Sequence, residues 1–577
     1  MNFQSLRIPQ YLRAGIMINK RGKEVQSVII GSDSETCQGP PFTFQFFSDE
    51  MRLKDIHFLK KEKPFEYFLS FLDSLPEKNK RNDSNFFNVY FTNLKFDMLS
   101  LFYNYPEILN QEQFDFEYKK WNISGVYADV CFCTLKKGRK TVRLLDTSAF
   151  FYGSLERLAG VFCPALPKLK PPKNLGQKIF TSKDKKFCEY ALRDSEITYH
   201  IGKAIDLFHE KYDVSQCVSI AQMSAKIFRH KFLTKTIPAV PRKIMYAALW
   251  SYHGGKNNIT VARGRYKKVY LLDISSAYPF AMSLLPSFSN SKLYFECEGK
   301  RLKKFVPQFG IYRITGTAKK CPWPVIFDSG FKPIQGDFEK VYVTGFELNE
   351  ALRLNEITVK EYNGFFYDAE QDKEPSPFKG FVDEFYFLKE TAKNPIDKMF
   401  YKIVLNSLYG KFIQTTKVSN HVFEYDIDEG LLNTEEKHLK AGGLFHPFIA
   451  SLITGHTRAY IHRLEHEYKA LHTSTDGIMT QIKPKEVPGL GGLKIEAFGD
   501  LELLRNKLYI LYDRKTGEKL KYALHGFHGK IDQLEEMIKT GKMEYEFIKV
   551  NKLRESMRRG LIPNKFETRK AVLKLDD

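Results

Sequence analysis

The chain has 577 residues, 43% of them hydrophobic and 27% charged, enough for about four globular units at roughly 150 residues each. Its 89 Lys+Arg against 68 Asp+Glu leave a net charge of +21, which points to a polyanionic partner, nucleic acid foremost. No apolar run reaches the roughly 18 residues of a membrane helix, Met1–Gln10 lacks a signal-peptide pattern, and eight scattered cysteines without a Cys-x-x-Cys pair argue against a disulfide framework or a cysteine zinc site. A reducing, intracellular setting is expected.

In chain order, Ser27–Ile30 and Asn88–Phe91 read as short buried strands between helical stretches, so the opening third is expected to be α/β or α+β. Asp33 and Glu35 follow the first run. At i and i+2 on an extended strand, both point to one side and can grip one divalent metal. Asp-x-Glu occurs seven times in the chain, so the pair is not specific by itself. Asn93-Leu-Lys-Phe96-Asp97 follows the second run, Ser154-Leu155 comes later with Leu158, and Pro164–Lys173 reads as an exposed basic loop. From about Ser182 to Lys211 the apolar residues fall at helical spacing, which sets Tyr190 and Asp194 one turn apart on one face. Asp33, Glu35, Asp97 and Asp194 can together hold two Mg²⁺ ions about 4 Å apart, one activating water and one stabilising a leaving 3′-oxygen, with Tyr190 positioning the water. Taken singly, each fragment is also explained as an exposed pair, a helix cap or a core tyrosine.

Tyr252-His253-Gly254-Gly255 is turn-like and reads as a joint between two halves. Beyond it, Val269–Leu272 reads as a buried strand ending in Asp273-Ile274-Ser-Ser-Ala-Tyr278-Pro279. Asp273 and the Ile274 carbonyl can meet a metal, the following helical turn can offer N–H groups to a triphosphate, and Tyr278 can block a 2′-hydroxyl by bulk. Asn394-Pro395 can start a helix and Gly410 end it, which puts Lys398, Lys402, Asn406 and Tyr409 on one stripe. Lys402 can neutralise phosphates, Asn406 can bond a phosphate or sugar, and Tyr409 can pack on a base pair. In Thr473-Ser474-Thr475-Asp476-Gly477, Asp476 can join Asp273 around two metals, although Thr-Asp-Gly alone is an ordinary hairpin turn. Thr454-x-x-x-Arg458 can bind template backbone, and Lys507-Leu-Tyr509 can touch a primer end.

The first set of motifs resembles the DxE, Nx₂₋₃(F/Y)D and YxxxD motifs of the DEDDy 3′–5′ exonucleases, with Ser154-Leu155 similar to their single-strand-binding motif. The series DxxSxYP, Kx₃NSxYG, TxD and KxY behind it resembles a family B DNA polymerase, from Asp33 to about Tyr509. Length, the Tyr252-x-Gly-Gly joint and the segment sizes place the likeness nearest the protein-primed polymerases of phages with linear genomes. About 130 residues separate Asp273 from Lys402 and about 75 separate Lys402 from Asp476, leaving room for that subfamily's two insertions.

The resemblance implies a multi-domain α+β fold: an RNase H-like exonuclease (1–215), then a right hand of palm, fingers and thumb. The palm would begin at 216–284, with its joint at 252–255, and resume at 446–510. A first insertion would occupy 285–375, the fingers 376–412, a second insertion 413–445 and the thumb 511–577. By resemblance, Asp273 and Asp476 catalyse synthesis, while Asp33, Glu35, Asp97, Asp194 and Tyr190 catalyse degradation. Tyr278, Lys389, Lys398, Lys402, Asn406 and Tyr409 bind the incoming dNTP. Tyr252, Gly254, Gly255, Asn93, Phe96, Ser154, Leu155, Thr454, Arg458, Lys507 and Tyr509 contact DNA. The implied metal ligands are Asp273, the Ile274 carbonyl and Asp476 in one site and the four exonuclease acids in the other, with Mg²⁺ replaceable by Mn²⁺. Primer-template and single-stranded DNA, dNTPs and a terminal priming protein are the implied partners of a monomer working in a host cytoplasm, away from membranes. The first insertion would contact the priming protein and duplex, and the second would encircle DNA for strand displacement and processivity.

Two departures bear on this. Ser474 stands where the family usually has the first Asp of Asp-Thr-Asp. The lysine that assists the exonuclease falls among Lys168, Lys170, Lys173 and Lys178, a choice the spacing leaves open. An exonuclease with a degenerate polymerase half, suggested by Ser474, and a non-catalytic basic strand-binding protein are the alternative readings.

Overall fold

The computed structural model describes residues 11–12, 27–76, 85–110, 112–319, 324–327, 330–333, 335–426 and 430–575. Met1–Gln10 and Cys321 therefore lie outside the described residues, and the described cysteines are free thiols. The architecture is mixed α+β in several units.

The first unit is an eight-stranded sheet in the order Leu53–Phe58, Pro41–Ser48, Val28–Thr36, Asn85–Phe91, Lys140–Asp146, Phe132–Lys137, Trp121–Val126, Gln113–Tyr118. Its three central strands run parallel, with Ile30 opposite Val89 and Val89 opposite Leu144. Those strands are apolar on both faces because both faces are covered. The helix Lys185–Lys211 lies on one side, where a Cβ at Gly31 would meet the Ser195 carbonyl oxygen at 2.1 Å, so the small residue permits this close approach. Pro64–Ser74 and Leu94–Leu101 contribute to the core on the other side.

The second sheet has seven antiparallel strands in the order Asn257–Ile259, His472–Ser474, Gly477–Thr480, Gly264–Ile274, Leu493–Arg505, Leu508–Tyr512, Lys519–Leu524. Ala277–Ser283 and the long buried helix Pro447–Glu467 back it, with Ile461 and Leu464 packed on Leu272, Ile274 and Ile478. Between these elements stands a four-stranded sheet, Tyr294–Lys300, Ile357–Tyr367, Gly310–Ala318, Gly336–Thr344, with its own core and the helix Gly345–Arg353. Two helices, Pro377–Thr391 and Pro395–Ser407, form a pair, and a long hairpin, Thr415–Asp426 with Gly430–Ala441, follows.

Aromatic packing joins the helix pair to the first unit. Phe208 stacks on Phe400 with centroids 3.6 Å apart, and the Lys211 ammonium donates to the Tyr401 hydroxyl at 2.7 Å. Fully burying one such ring contributes about 1.5–3 kcal/mol. At the other end, the hairpin Glu544–Val550 with Phe566–Val572 surrounds the helix Leu553–Arg559 in sequence. Leu553 is buried in the first unit's core and the Asn564 amide donates to the Phe96 carbonyl, so the end of the chain returns to its beginning. Among the described residues no helix is long and apolar enough to cross a membrane.

Candidate active sites

Asp33 and Glu35 sit on the central strand Val28–Thr36, and Asp97 on the helix that begins just after the parallel neighbour Asn85–Phe91. Asn93 makes the turn between them at φ 69°, a left-handed conformation that asparagine tolerates, and its N–H donates to Asp146 at 3.0 Å. The Ser34 hydroxyl donates to Asp97 at 2.7 Å. Asp194 and Tyr190 project from Lys185–Lys211.

All four acids are raised. Burial and the Asp194 charge push Asp33 up to about 7. Burial, then Asp33 and Asp194, raise Glu35, while burial and Asp33 raise Asp97. Burial raises Asp194 against the pull of Lys168, whose ammonium is 2.5 Å from Asp194 Oδ2. Burial and the same acids raise the Tyr190 hydroxyl, so it stays a neutral phenol. Asp194 Oδ1 is buried without a hydrogen bond. A cluster of carboxylates this short of countercharge fits divalent cations.

The loop Pro164–Lys173 is not wholly exposed. Lys168 turns inward, its ammonium also lying over the Tyr190 ring at 5.4 Å, whereas Lys170 and Lys173 face solvent and Lys178 pairs with Asp184 at 3.8 Å. Ser154 is the exposed N-cap of Leu155–Phe162, accepting from the Arg157 N–H at 3.3 Å, with Leu155 half-buried beside it. Asn93 is exposed and Phe96 half-buried near Asp97.

The second cluster is built by strand register. Asp273 pairs with Gly477, which brings Asp476 alongside, and the Ile274 N–H donates to the Asp476 carbonyl at 2.9 Å. A Cβ at Gly477 would meet the Leu272 carbonyl at 2.8 Å, so the tight turn needs glycine there. Burial, then Asp476 and Glu496, push Asp273 up to about 7, opposed by Lys402 and Lys494; burial also raises Asp476. Tyr278 lies face to face with Tyr409, centroids 4.2 Å apart and planes 7° from parallel. Asn406 is half-buried, Lys398 and Lys402 are exposed, and the Lys389 ammonium reaches the Ser276 hydroxyl at 3.4 Å. Lys507 sits in a turn at φ 55° and acts on the charge of Asp476, with Tyr509 two residues on.

Three expectations need correction. The helix carrying Lys398, Lys402 and Asn406 ends at Ser407, so Tyr409 is not on its stripe; a tighter turn, Tyr409–Phe412, swings the ring onto Tyr278. Thr454 and Arg458 do not face DNA. Thr454 is buried and its hydroxyl donates to Ala450 O, while Arg458 is fully buried. Its guanidinium pairs with Glu347 at 2.7 Å and donates to the carbonyls of His253 and Gly254, because a buried charge must be matched where it lies. Arg458 thus shapes the Tyr252-His253-Gly254-Gly255 loop. In that loop Tyr252 is half-buried, Gly254 is exposed with open space above it, and a Cβ at Gly255 would strike Thr475.

Glu496 is the residue that sequence reasoning missed. Opposite it the ladder jumps from Leu271–Ala497 to Leu272–Ile495, so Glu496 is the extra residue of a β-bulge. Bulges re-aim side chains, and the charge of this one acts on both Asp273 and Asp476 while the Lys521 ammonium reaches it at 3.0 Å. A bulge leaves no mark in the alternation of Leu493–Phe498 that would have announced it.

Residues 183–444 match the family described as DNA polymerase type B, organellar and viral. The chain is similar to the DNA-directed DNA polymerase of Enterobacteria phage PRD1, 32% identical over 165 residues, covering 24% of this chain and 29% of that protein. The DNA polymerase of Acidianus bottle-shaped virus is 27% identical over 284 residues, 46% of this chain and 38% of that one. The chain thus spans between a quarter and two fifths of the length of these curated relatives. Its fold is that of Phi29 DNA polymerase complexed with primer-template DNA and incoming nucleotide, at a TM-score of 0.65 and 16% identity, over 95% of this chain and all of that one.

Proposed function

We propose that this protein is a template-directed family B DNA polymerase of the protein-primed type, replicating a linear viral genome and editing its product with a 3′–5′ exonuclease. The observation that carries the reading is the register of Asp273 on Gly477, which joins Asp476 and Asp273 beside the stacked pair Tyr278–Tyr409 and the lysine Lys402. The first unit is then an RNase H-like exonuclease, the seven-stranded sheet the palm, and the helix pair 377–407 the fingers. The thumb follows the palm to the end of the chain. The four-stranded sheet near 285–375 is the first insertion, facing a terminal protein and duplex, and the hairpin 415–441 is the second, closing round DNA for strand displacement.

Asp273, Asp476 and the Ile274 carbonyl would hold Mg²⁺ or Mn²⁺ in the palm, and Asp33, Glu35, Asp97 and Asp194 in the exonuclease. Such ions supply positive charge that activates the attacking oxygen and stabilises the leaving one. Glu496 offers the palm a third carboxylate where Ser474 removes one, which speaks against a degenerate polymerase half. The stacked tyrosines form a flat floor under the incoming sugar and base, and Tyr278 excludes a 2′-hydroxyl. Lys402 and Lys389 offset the triphosphate, aided by Lys398 and Asn406 from the same helix pair. The exposed Gly254 lets a nucleic-acid backbone approach the joint, Lys507 and Tyr509 meet the primer end, and Asn93, Phe96, Ser154 and Leu155 guide a single strand to the exonuclease. There the Tyr190 hydroxyl orients water, and Lys168 opposes the rise that burial imposes on Asp194.

The test is a separation of the two activities on one primer-template. Asp273→Ala is expected to abolish extension by about 10³-fold or more and leave digestion of single strands intact, while Asp33→Ala with Asp97→Ala does the reverse. Extension surviving Asp273→Ala would remove the palm assignment, and undiminished digestion by the double variant would remove the exonuclease.

A further inference from the structure

Away from both carboxylate clusters, three metal-ligating side chains converge where the long helix Pro447–Glu467 meets the four-stranded sheet. His462 and His466 stand at i and i+4 on that helix, hence on one face. Glu356 comes from the turn between Gly345–Arg353 and Ile357–Tyr367. Its backbone is fixed on both sides, accepting from Lys319 N–H at 2.7 Å and donating to Ala351 O at 3.0 Å. Glu356 Oε2 is 2.6 Å from His462 Nε2, Oε1 is 2.8 Å from His466 Nε2, and all three ligand atoms lie within 4.8 Å of one another.

We propose that Glu356, His462 and His466 form a site for a single transition-metal ion, zinc by ligand class, which pins the four-stranded insertion to the long palm helix. Two imidazoles and one carboxylate are a recognised donor set for Zn²⁺, and an i, i+4 histidine pair presents two of them from one rigid element. Metal–ligand bonds of about 2.0–2.2 Å in a tetrahedron set donor atoms about 3.3 Å apart, so the two Glu356–histidine separations need to open by under 1 Å to admit an ion. Water has access for the fourth position, because His466 is 35% exposed whereas His462 is fully buried.

One further observation points to a cation. Glu356 Oε1, though buried and close to His466, has no hydrogen bond, so the nitrogen's lone-pair direction and the oxygen are not aimed along one line. A metal on His462 Nε2 requires the proton on Nδ1. The Lys256 ammonium, now 2.5 Å from Nδ1, then turns to Glu465 Oε2, 3.1 Å away. The carbonyl of Lys256 accepts the Thr475 N–H at 2.9 Å, so the site lies one residue removed from the turn that carries Asp476.

Co²⁺ is the probe. The full-length protein, stripped with a chelator and titrated with Co²⁺, is expected to develop the intense visible absorption of a four- or five-coordinate ion at one equivalent, displaced by one equivalent of Zn²⁺. Oxygen-only carboxylate sites give weak octahedral spectra, so Asp33→Ala with Asp273→Ala should keep the band. His466→Gln, at a partly exposed position that the fold tolerates, should abolish it and weaken Zn²⁺ binding by about 100-fold or more, since supporting residues alone contribute about 10–100-fold. Glu356→Gln should likewise lose the band, and Zn²⁺ should raise the Tm of the wild type but not of His466→Gln. A Co²⁺ spectrum without the intense band, or a Zn²⁺ affinity and Tm gain unchanged by His466→Gln, would overturn the site and leave the triad a hydrogen-bonded contact.

Discussion

The two carboxylate clusters are built from the same residue type on sheets of different kinds, and they balance charge differently. In the first, four acids crowd onto a parallel core and one lysine, Lys168, touches one of them. In the second, Asp273, Asp476 and the bulged Glu496 lie on an antiparallel sheet, and Lys402 from the helix pair, Lys494 from the strand of Glu496 and Lys507 from a turn act on the aspartates. A site that binds a single phosphodiester and water can keep its cation in contact. A site that admits a highly charged triphosphate benefits from cations held at a distance, delivered by a helix pair that packs on the palm. On the proposed function, the contact lysine positions an acid and the distant Lys402 meets a substrate.

That contrast is sharpest at the lysines. Lys402→Ala is expected to lower kcat/KM for dNTP by about 100-fold with digestion unchanged, because a phosphate partner is lost. Lys168→Ala should lower only digestion, by about 10–100-fold, and Lys168→Arg should recover part of it. Extension and digestion falling together in either variant would erase the distinction. A smaller effect is expected at the bulge. Glu496→Ala should reduce extension about 10-fold and raise the Mg²⁺ concentration for half-maximal activity, and adding Ser474→Asp should restore much of it. An unchanged Mg²⁺ requirement would mean that Glu496 serves only Lys521.

The subtlest test is pH. Asp33, raised from its ordinary 3.8 to about 7, favours the folded state while protonated, so the metal-free fold loses that contribution as pH rises from about 4 through about 7. In chelator, Asp33→Asn should therefore gain stability over the wild type on going from pH 5 to pH 8, on the order of 2 kcal/mol by chemical denaturation. Metal must displace the same proton, so the Tm gain from Mn²⁺ should grow over pH 6–8 in the wild type and much less in Asp33→Asn. A gap independent of pH would mean Asp33 is ionised throughout.

What was legible in the sequence follows from how local each determinant is. Asp33 with Glu35, Tyr190 with Asp194, and Thr475-Asp476-Gly477 are set by strand alternation, one helical turn and one hairpin, so a few neighbouring residues announce them. The first two short strands and the helix through Lys211 were readable for the same reason. Lys168, Glu496 and Arg458 were not. Lys168 depends on a loop folding back 26 positions before its partner, and Glu496 on a bulge set by the opposite strand. Arg458 reads as a surface cation in sequence, but the acid that buries it, Glu347, is more than a hundred residues away. Tyr409 was displaced from its expected stripe by a change of helix type after Ser407, which costs little and leaves little trace in composition.

The most direct measurement is primer extension by the purified protein on a circular single-stranded template with dNTPs and Mg²⁺. Products many times the template circle are predicted, since a working palm and the hairpin 415–441 together give synthesis with strand displacement. Shortening of the primer with no extension at any Mg²⁺ or Mn²⁺ concentration would contradict the account, leaving an exonuclease joined to a palm that Ser474 has disabled.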